Sequence, residues 1–102
     1  GRIPVRIHFL DNSSKVFLSE PNTSIRDLVC QCLEKYSVLD IPFVLPYFAL
    51  FESRNGGAID GALPMEMKVQ EAVQSWADAG VSKTAKFLFM IRLYLPSIMG
   101  LE

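Results

Sequence analysis

Residues 45–57 read LPYFALFESRNGG, in which Tyr47 to Phe51 is an unbroken apolar and aromatic run. Successive side chains of a strand point to opposite faces, so a strand built here is apolar on both. Lys86 to Leu95, KFLFMIRLYL, has the same character near the end of the chain. Strands of this kind need cover above and below the sheet, and only 102 residues are present to supply it. A chain of that length buries roughly 60 to 65% of its unfolded surface, which suffices for one core.

Charge excludes one large class of partner. Ten basic residues stand against eleven acidic ones, whereas phosphate-backbone binding needs a clustered excess of Lys and Arg; nucleic acid is not an expected partner. The longest apolar run, Phe87 to Ile91, resumes after Arg92 as Leu93 to Leu95, about half of the roughly 20 residues a membrane span requires. It reads as a buried strand. Cys30 and Cys32 project about 200° apart on a helix and cannot bridge each other, so a reduced, cytosolic setting is expected. Zinc needs four convergent ligands, and the single histidine, His8, is a poor candidate to complete a set; no metal or cofactor is expected. No charged start followed by an apolar block and a small-residue cleavage site is present. Gly1 and Leu101-Glu102 read as cloning remnants, with the domain cut from a longer protein.

Ile3, Val5, Ile7 and Phe9 alternate with other residues, a period-two pattern that predicts a strand with one core face. Asp11 to Ser14 supplies turn chemistry before a second strand, Lys15 to Leu18, so the two form a hairpin. The inward side of the second strand is open, because Val16, Phe17 and Leu18 are consecutive. Ser24 then precedes Ile25, Leu28, Val29, Cys32, Leu33 and Tyr36, a helical stripe with Ser24 as N-cap and Asp27 in the first turn. Pro42 and Pro46 predict extended chain over 37–46, leading into a strand from Tyr47 to Glu52 and a turn at Arg54 to Gly57. Ala58 to Ala62 allows only a short edge strand or loop. Met65, Val69, Ala72, Val73, Trp76 and Ala77 predict a second helix, with Pro64 in its first turn and Gly80 just past its end. Lys86 to Leu95 is the last strand, and Pro96 stops it.

Strand, strand, helix, strand, short strand, helix, strand is the order of an α+β β-grasp. A right-handed crossover through the first helix makes the strands it connects run parallel, and the last strand suits the centre of a mixed sheet of four to five strands. The main helix packs on that sheet and the second, shorter helix beside it. The expected core is Ile3, Val5, Ile7, Phe9, Leu28, Cys32, Phe48, Leu50, Phe87, Phe89 and Ile91.

Pro21-Asn22-Thr23-Ser24 ahead of the helix, the strand Tyr47 to Glu52, and Phe87 to Arg92 followed by Pro96 stand in an order that resembles the first, ubiquitin-like lobe of FERM domains. Ser37 to Glu52 and Glu71-Ala72-Val73 are most similar to the FERM modules of unconventional myosin tails, and Tyr47 to Glu52 is also similar to the FERM-like part of sorting nexins. The resemblance implies residues 1–96 as one ubiquitin-like lobe, with 97–102 a linker or terminal tail. It further implies a non-enzymatic, cytoplasmic scaffold at the cytoskeleton or membrane periphery, whose partners are the other FERM lobes, a protein partner or cargo tail, or a phosphoinositide surface.

If Phe48 and Leu50 face the helix, then Tyr47, Ala49 and Phe51 face away, beside Leu88, Met90 and Tyr94. This face is expected either to dock on neighbouring lobes or to lie under Phe43, Val44 and Leu45 of the preceding loop. A second function class is small-GTPase binding, because Ras-binding domains share the β-grasp plan and add a strand at the second strand's edge; Arg6, Lys15 and Arg26 are the basic residues expected near it. Trp76 is read as packing on the sheet margin, with a binding hot spot as the alternative. Lys83, Lys86 and Arg92 are a thin cluster for anionic lipid. Catalysis finds no constellation: His8 sits on a strand's outer side with no nucleophile placed beside it. Gly56-Gly57 lies in a turn and is not the flexible terminus of a ubiquitin-like modifier.

Overall fold

The computed structural model describes residues 1–92. Over them run β1 (Ile3–Phe9), β2 (Ser14–Ser19), α1 (Ile25–Lys35), α2 (Ile41–Val44), a 3-10 turn (Leu45–Tyr47), β3 (Phe48–Ser53), β4 (Gly61–Ala62), α3 (Val69–Asp78) and β5 (Lys86–Ile91). The sheet has the order β2-β1-β5-β3-β4. β1 pairs antiparallel with β2 and parallel with β5, while β3 pairs antiparallel with β5 and β4. β3 therefore runs in the same direction as β2, as a crossover through α1 demands. The strand Phe87-Leu88-Phe89-Met90-Ile91 sits in the middle, and the architecture is an α+β β-grasp. Leu93 to Pro96, Tyr94 included, and the boundary at residue 96 lie outside the described residues.

α1 begins where its chemistry says it should. Ser24 Oγ accepts from the Asp27 N–H at 3.1 Å, and the Asp27 carboxylate accepts from the Ser24 N–H at 2.9 Å, so two donors near the helix start are satisfied reciprocally. Ser24→Ala is expected to cost about 1 kcal/mol in a urea unfolding midpoint, with the m-value unchanged. The next orphan donors are met from across the fold: Ile25 N–H donates to Met67 O at 2.8 Å and Arg26 N–H to Met65 O at 3.0 Å.

Those two bonds explain one departure from the sequence pattern. Pro64 and Met65 do not open α3, which starts at Val69; the carbonyls of Met65 and Met67 are used by α1 instead. Gly80 does close it, with φ +74, the left-handed conformation that favours glycine. A second departure is α2. Pro42 lies in the first turn of that short helix, and Asp40 Oδ1 accepts from the Phe43 N–H at 3.3 Å. Proline is tolerated where no intrahelical donor is needed, so residues 41–47 coil, and Tyr47 belongs to the turn rather than to β3.

α1 covers one face of the sheet. Val5, Ile7, Phe9, Leu28, Cys32, Leu50, Phe87 and Phe89 are buried there, with Ile3 and Phe48 half-buried against them. Phe17 joins them opposite Val5, which settles the inward side of β2: Val16 and Leu18 point out and are exposed. Ile91 is the exception among the expected core residues, 36% exposed. It shares a face with Phe87 and Phe89 but lies at the end of β5, where it lines an open groove with Phe48, Phe89 and, from the end of α1, Leu33 and Tyr36.

Candidate interaction site

β4 spans only Gly61–Ala62, whereas β2 offers a six-residue edge. Along a free edge alternate residues turn unpaired N–H and C=O groups outward. Lys15, Phe17 and Ser19 lie on the α1 side of β2, opposite Ile7, Val5 and Ile3, and Val16 and Leu18 lie on the other side, opposite Arg6 and Pro4. Lys15 Nζ stands 5.3 Å from the centre of the Phe17 ring, and Arg6 Nη1 donates to Ser14 Oγ at 2.8 Å. Arg6 and Lys15 thus flank the edge from opposite faces.

Arg26 does not join them. It pairs with Glu66 at 3.1 Å, both side chains well exposed, and lines a depression with Pro42, Leu45 and Met65. Its place is taken by Lys35 at the C-terminus of α1. Lys35 Nζ lies 4.7 Å from the Phe9 ring centre and 4.3 Å from that of Tyr36, at the end of β1 that turns into β2. Lys35 carries no sequence signal beyond its position in the last turn, where it complements the helix dipole; only the fold brings it near β2.

Burial pushes the Cys32 thiol up to about 12, with Lys35 and Lys15 opposing, and burial followed by Asp27 also raises Cys30. A thiol held protonated in the folded state contributes stability below the ordinary value near 9 that is lost as pH climbs toward 12. Iodoacetamide at pH 8 is therefore expected to label half-buried Cys30 first, and Cys32 only on unfolding; mass spectrometry across a urea series reads both.

On the face opposite α1, Ala49, Phe51 and Met90 form a second cluster, with Leu88 half-buried against it. Ala49 and Phe51 have no exposed surface, whereas Tyr47 is 48% exposed. Val44 and Leu45 pack into the α1-side core and Phe43 is exposed, so the preceding segment does not cover this cluster.

Trp76 is 6% exposed, with its ring 4.4 Å from Phe87 and its Nε1 donating to Glu52 Oε1 at 2.7 Å. It is a packed margin residue with its polar atom satisfied, not an open hot spot. Lys86 opens β5 and Arg92 follows its last residue, so the strand's length of roughly 17 Å or more at about 3.3 Å per residue separates them, and Lys83, Lys86 and Arg92 do not make one patch. No described helix is long and apolar enough to cross a membrane.

No known family profile and no curated protein matches this sequence. Solved structures do match. A Dictyostelium discoideum myosin VII MyTH4-FERM MF2 domain superposes with a TM-score of 0.75 at 16% identity, over 93% of this chain and 19% of that one. The Rasip1 RA domain gives 0.70 at 19% identity, over 90% and 89%. The coiled-coil, RA and PH domains of lamellipodin give 0.67 at 19% identity, over 91% and 33%. The chain spans about a third of the lamellipodin structure and about a fifth of the myosin one. Its fold is the ubiquitin-like fold that FERM lobes and RA domains share.

Proposed function

We propose that this chain is a non-enzymatic protein-interaction module that takes up a partner by strand addition along β2, as a small-GTPase-binding domain of Ras-association type. One observation carries the reading: no described strand pairs with the outer edge of β2, which Lys15 flanks on one face and Arg6 on the other, with Lys35 beside Phe9 at the hairpin end of β1. Exposed charges contribute about 0.2 to 1 kcal/mol each and a micromolar complex needs roughly 8 kcal/mol, so the charges orient an acidic partner strand while backbone pairing supplies the affinity. The test is titration with a panel of small GTPases in GTP- and GDP-loaded forms. Binding selective for the GTP form and weakened about tenfold by Lys15→Glu or Lys35→Glu is expected, with Arg26→Glu near wild type; no binding, or no loss on Lys15→Glu, removes the reading.

A second reading, the first lobe of a cytoskeletal or membrane-adaptor FERM domain, is supported by the two-faced β3 and β5. Since Ala49 and Phe51 are closed off, Tyr47 and Leu88 at the rim are the residues left to touch a neighbouring lobe. Hydrogen exchange of the 102-residue chain beside the full-length gene product distinguishes the two: lobe docking protects 47–51 and 86–90 only in the longer protein, and equal protection in both counts against it.

A further inference from the structure

β1 extends beyond its pairing with β5. Ile7, His8 and Phe9 face Phe87, Leu88 and Phe89, so Pro4 to Arg6 have β2 on one side and no described strand on the other. α3 and the residues leading into β5 frame the gap, leaving a recess of about 290 Å³. Trp76 and Phe87 line its apolar part, and Arg6, His8, Ser82 and Lys86 supply its polar part. No carboxylate among the described residues lines it, although the chain holds eleven acidic residues against ten basic ones. Arg6 spends one N–H on Ser14 Oγ and keeps the rest of its donor fork.

We propose that this recess is a phosphate-monoester subsite in which Arg6 and Lys86 hold the dianion and His8 and Ser82 donate to its remaining oxygens. A carboxylate brings one charge and two coplanar oxygens, whereas a phosphate monoester brings up to two charges and three terminal oxygens, which matches two cations beside two neutral donors and suits the planar arginine fork. The volume lies just below the usual range for small-molecule sites, about 300 to 1,000 Å³, so the ligand is a small soluble ester or a single lipid headgroup, which share this chemistry.

A change in protonation follows. Partial burial, then Lys86, then Arg6 hold the His8 pKa below 6.5, so the empty site carries a neutral imidazole at pH 7. Of the elements around it, β1 contributes Arg6, β5 contributes Lys86, β2 contributes uncharged Ser14, and α3 contributes uncharged Val73 and Trp76. A bound dianion favours protonated His8, so binding raises the His8 pKa; the ester's own second ionisation near 6 opposes any gain in affinity at lower pH, which makes the His8 pKa the quantity to read.

The experiment is proton NMR titration of the His8 ring in the 102-residue chain with inorganic phosphate and with glycerol 3-phosphate at fixed ionic strength, sodium chloride serving as control. Co-sedimentation with phosphatidylcholine vesicles, with and without phosphatidic acid, runs beside it. The expected result is a saturable shift and a raised His8 pKa, about tenfold weaker binding in Lys86→Gln and rescue in Lys86→Arg. Because Arg6 also borders the β2 edge, Lys86 and His8 carry the discrimination. Saturation by the soluble ester without vesicle binding identifies a free ester, and vesicle binding lost in Lys86→Gln identifies a headgroup; either supports the subsite. Shifts no larger than those in chloride, or indifference to Lys86→Gln, overturn it.

Discussion

Phe87→Ala is expected to destabilise the chain by about 3 to 5 kcal/mol, with a melting temperature lower by roughly 20 °C for a domain of this size. Phe87 is 1% exposed and sits on the central strand opposite Ile7 and Glu52, with its ring 4.4 Å from Trp76. Its removal leaves a cavity bordered by both neighbouring strands and α3, and β-strands already hydrogen-bonded on both sides cannot collapse into it. The loss is a large share of the roughly 5 to 15 kcal/mol that holds a small domain folded. Urea titration with Phe87→Leu as the milder control checks it; a loss under about 1.5 kcal/mol would place the centre of the core elsewhere.

Phe51→Ala is expected to cost about as much, 3 to 5 kcal/mol, although it lies on the opposite face. Its side chain has no exposed surface and packs with Ala49, Met90 and Leu88. The comparison of the two alanine variants separates two kinds of apolar face. Equal losses in the 102-residue chain make the outer cluster a layer of this domain's own stability. A loss below about 1 kcal/mol there, rising in the full-length gene product, makes it a layer that a neighbouring lobe completes.

The elements most legible in the sequence are those whose signals are local. Ser24 and Asp27 face each other across one helical turn, so the cap is written in four consecutive residues, and the stripe from Ile25 to Leu33 names the face that becomes buried. The β1–β2 hairpin and the central place of β5 were legible for the same reason: a period of two, a polar turn, and a strand apolar on both sides. Where the reading failed, something outside the periodic pattern decided, a local cap in one case and a distant partner in another. Residues 41–47 coil because Asp40 supplies a cap. Met65 and Met67 stay out of α3 because α1 takes their carbonyls. Ile91 keeps the right parity and still reaches solvent, because parity fixes a face and not what lies over it.

The candidate edge shows the same division. Arg6 and Lys15 follow from the hairpin register, which is local. Arg26 and Lys35 lie on one helix, and no periodicity says which end of α1 lies near β2; the fold sends Arg26 to Glu66 and Lys35 to the hairpin. By itself the sequence determined most of the inventory: the four longer strands, the two longer helices, which faces are apolar, and that one mixed sheet must carry one main helix. The tertiary structure alone decided how those faces are covered and which charges become neighbours, because exposure and electrostatic proximity arise from contacts between residues far apart in the chain.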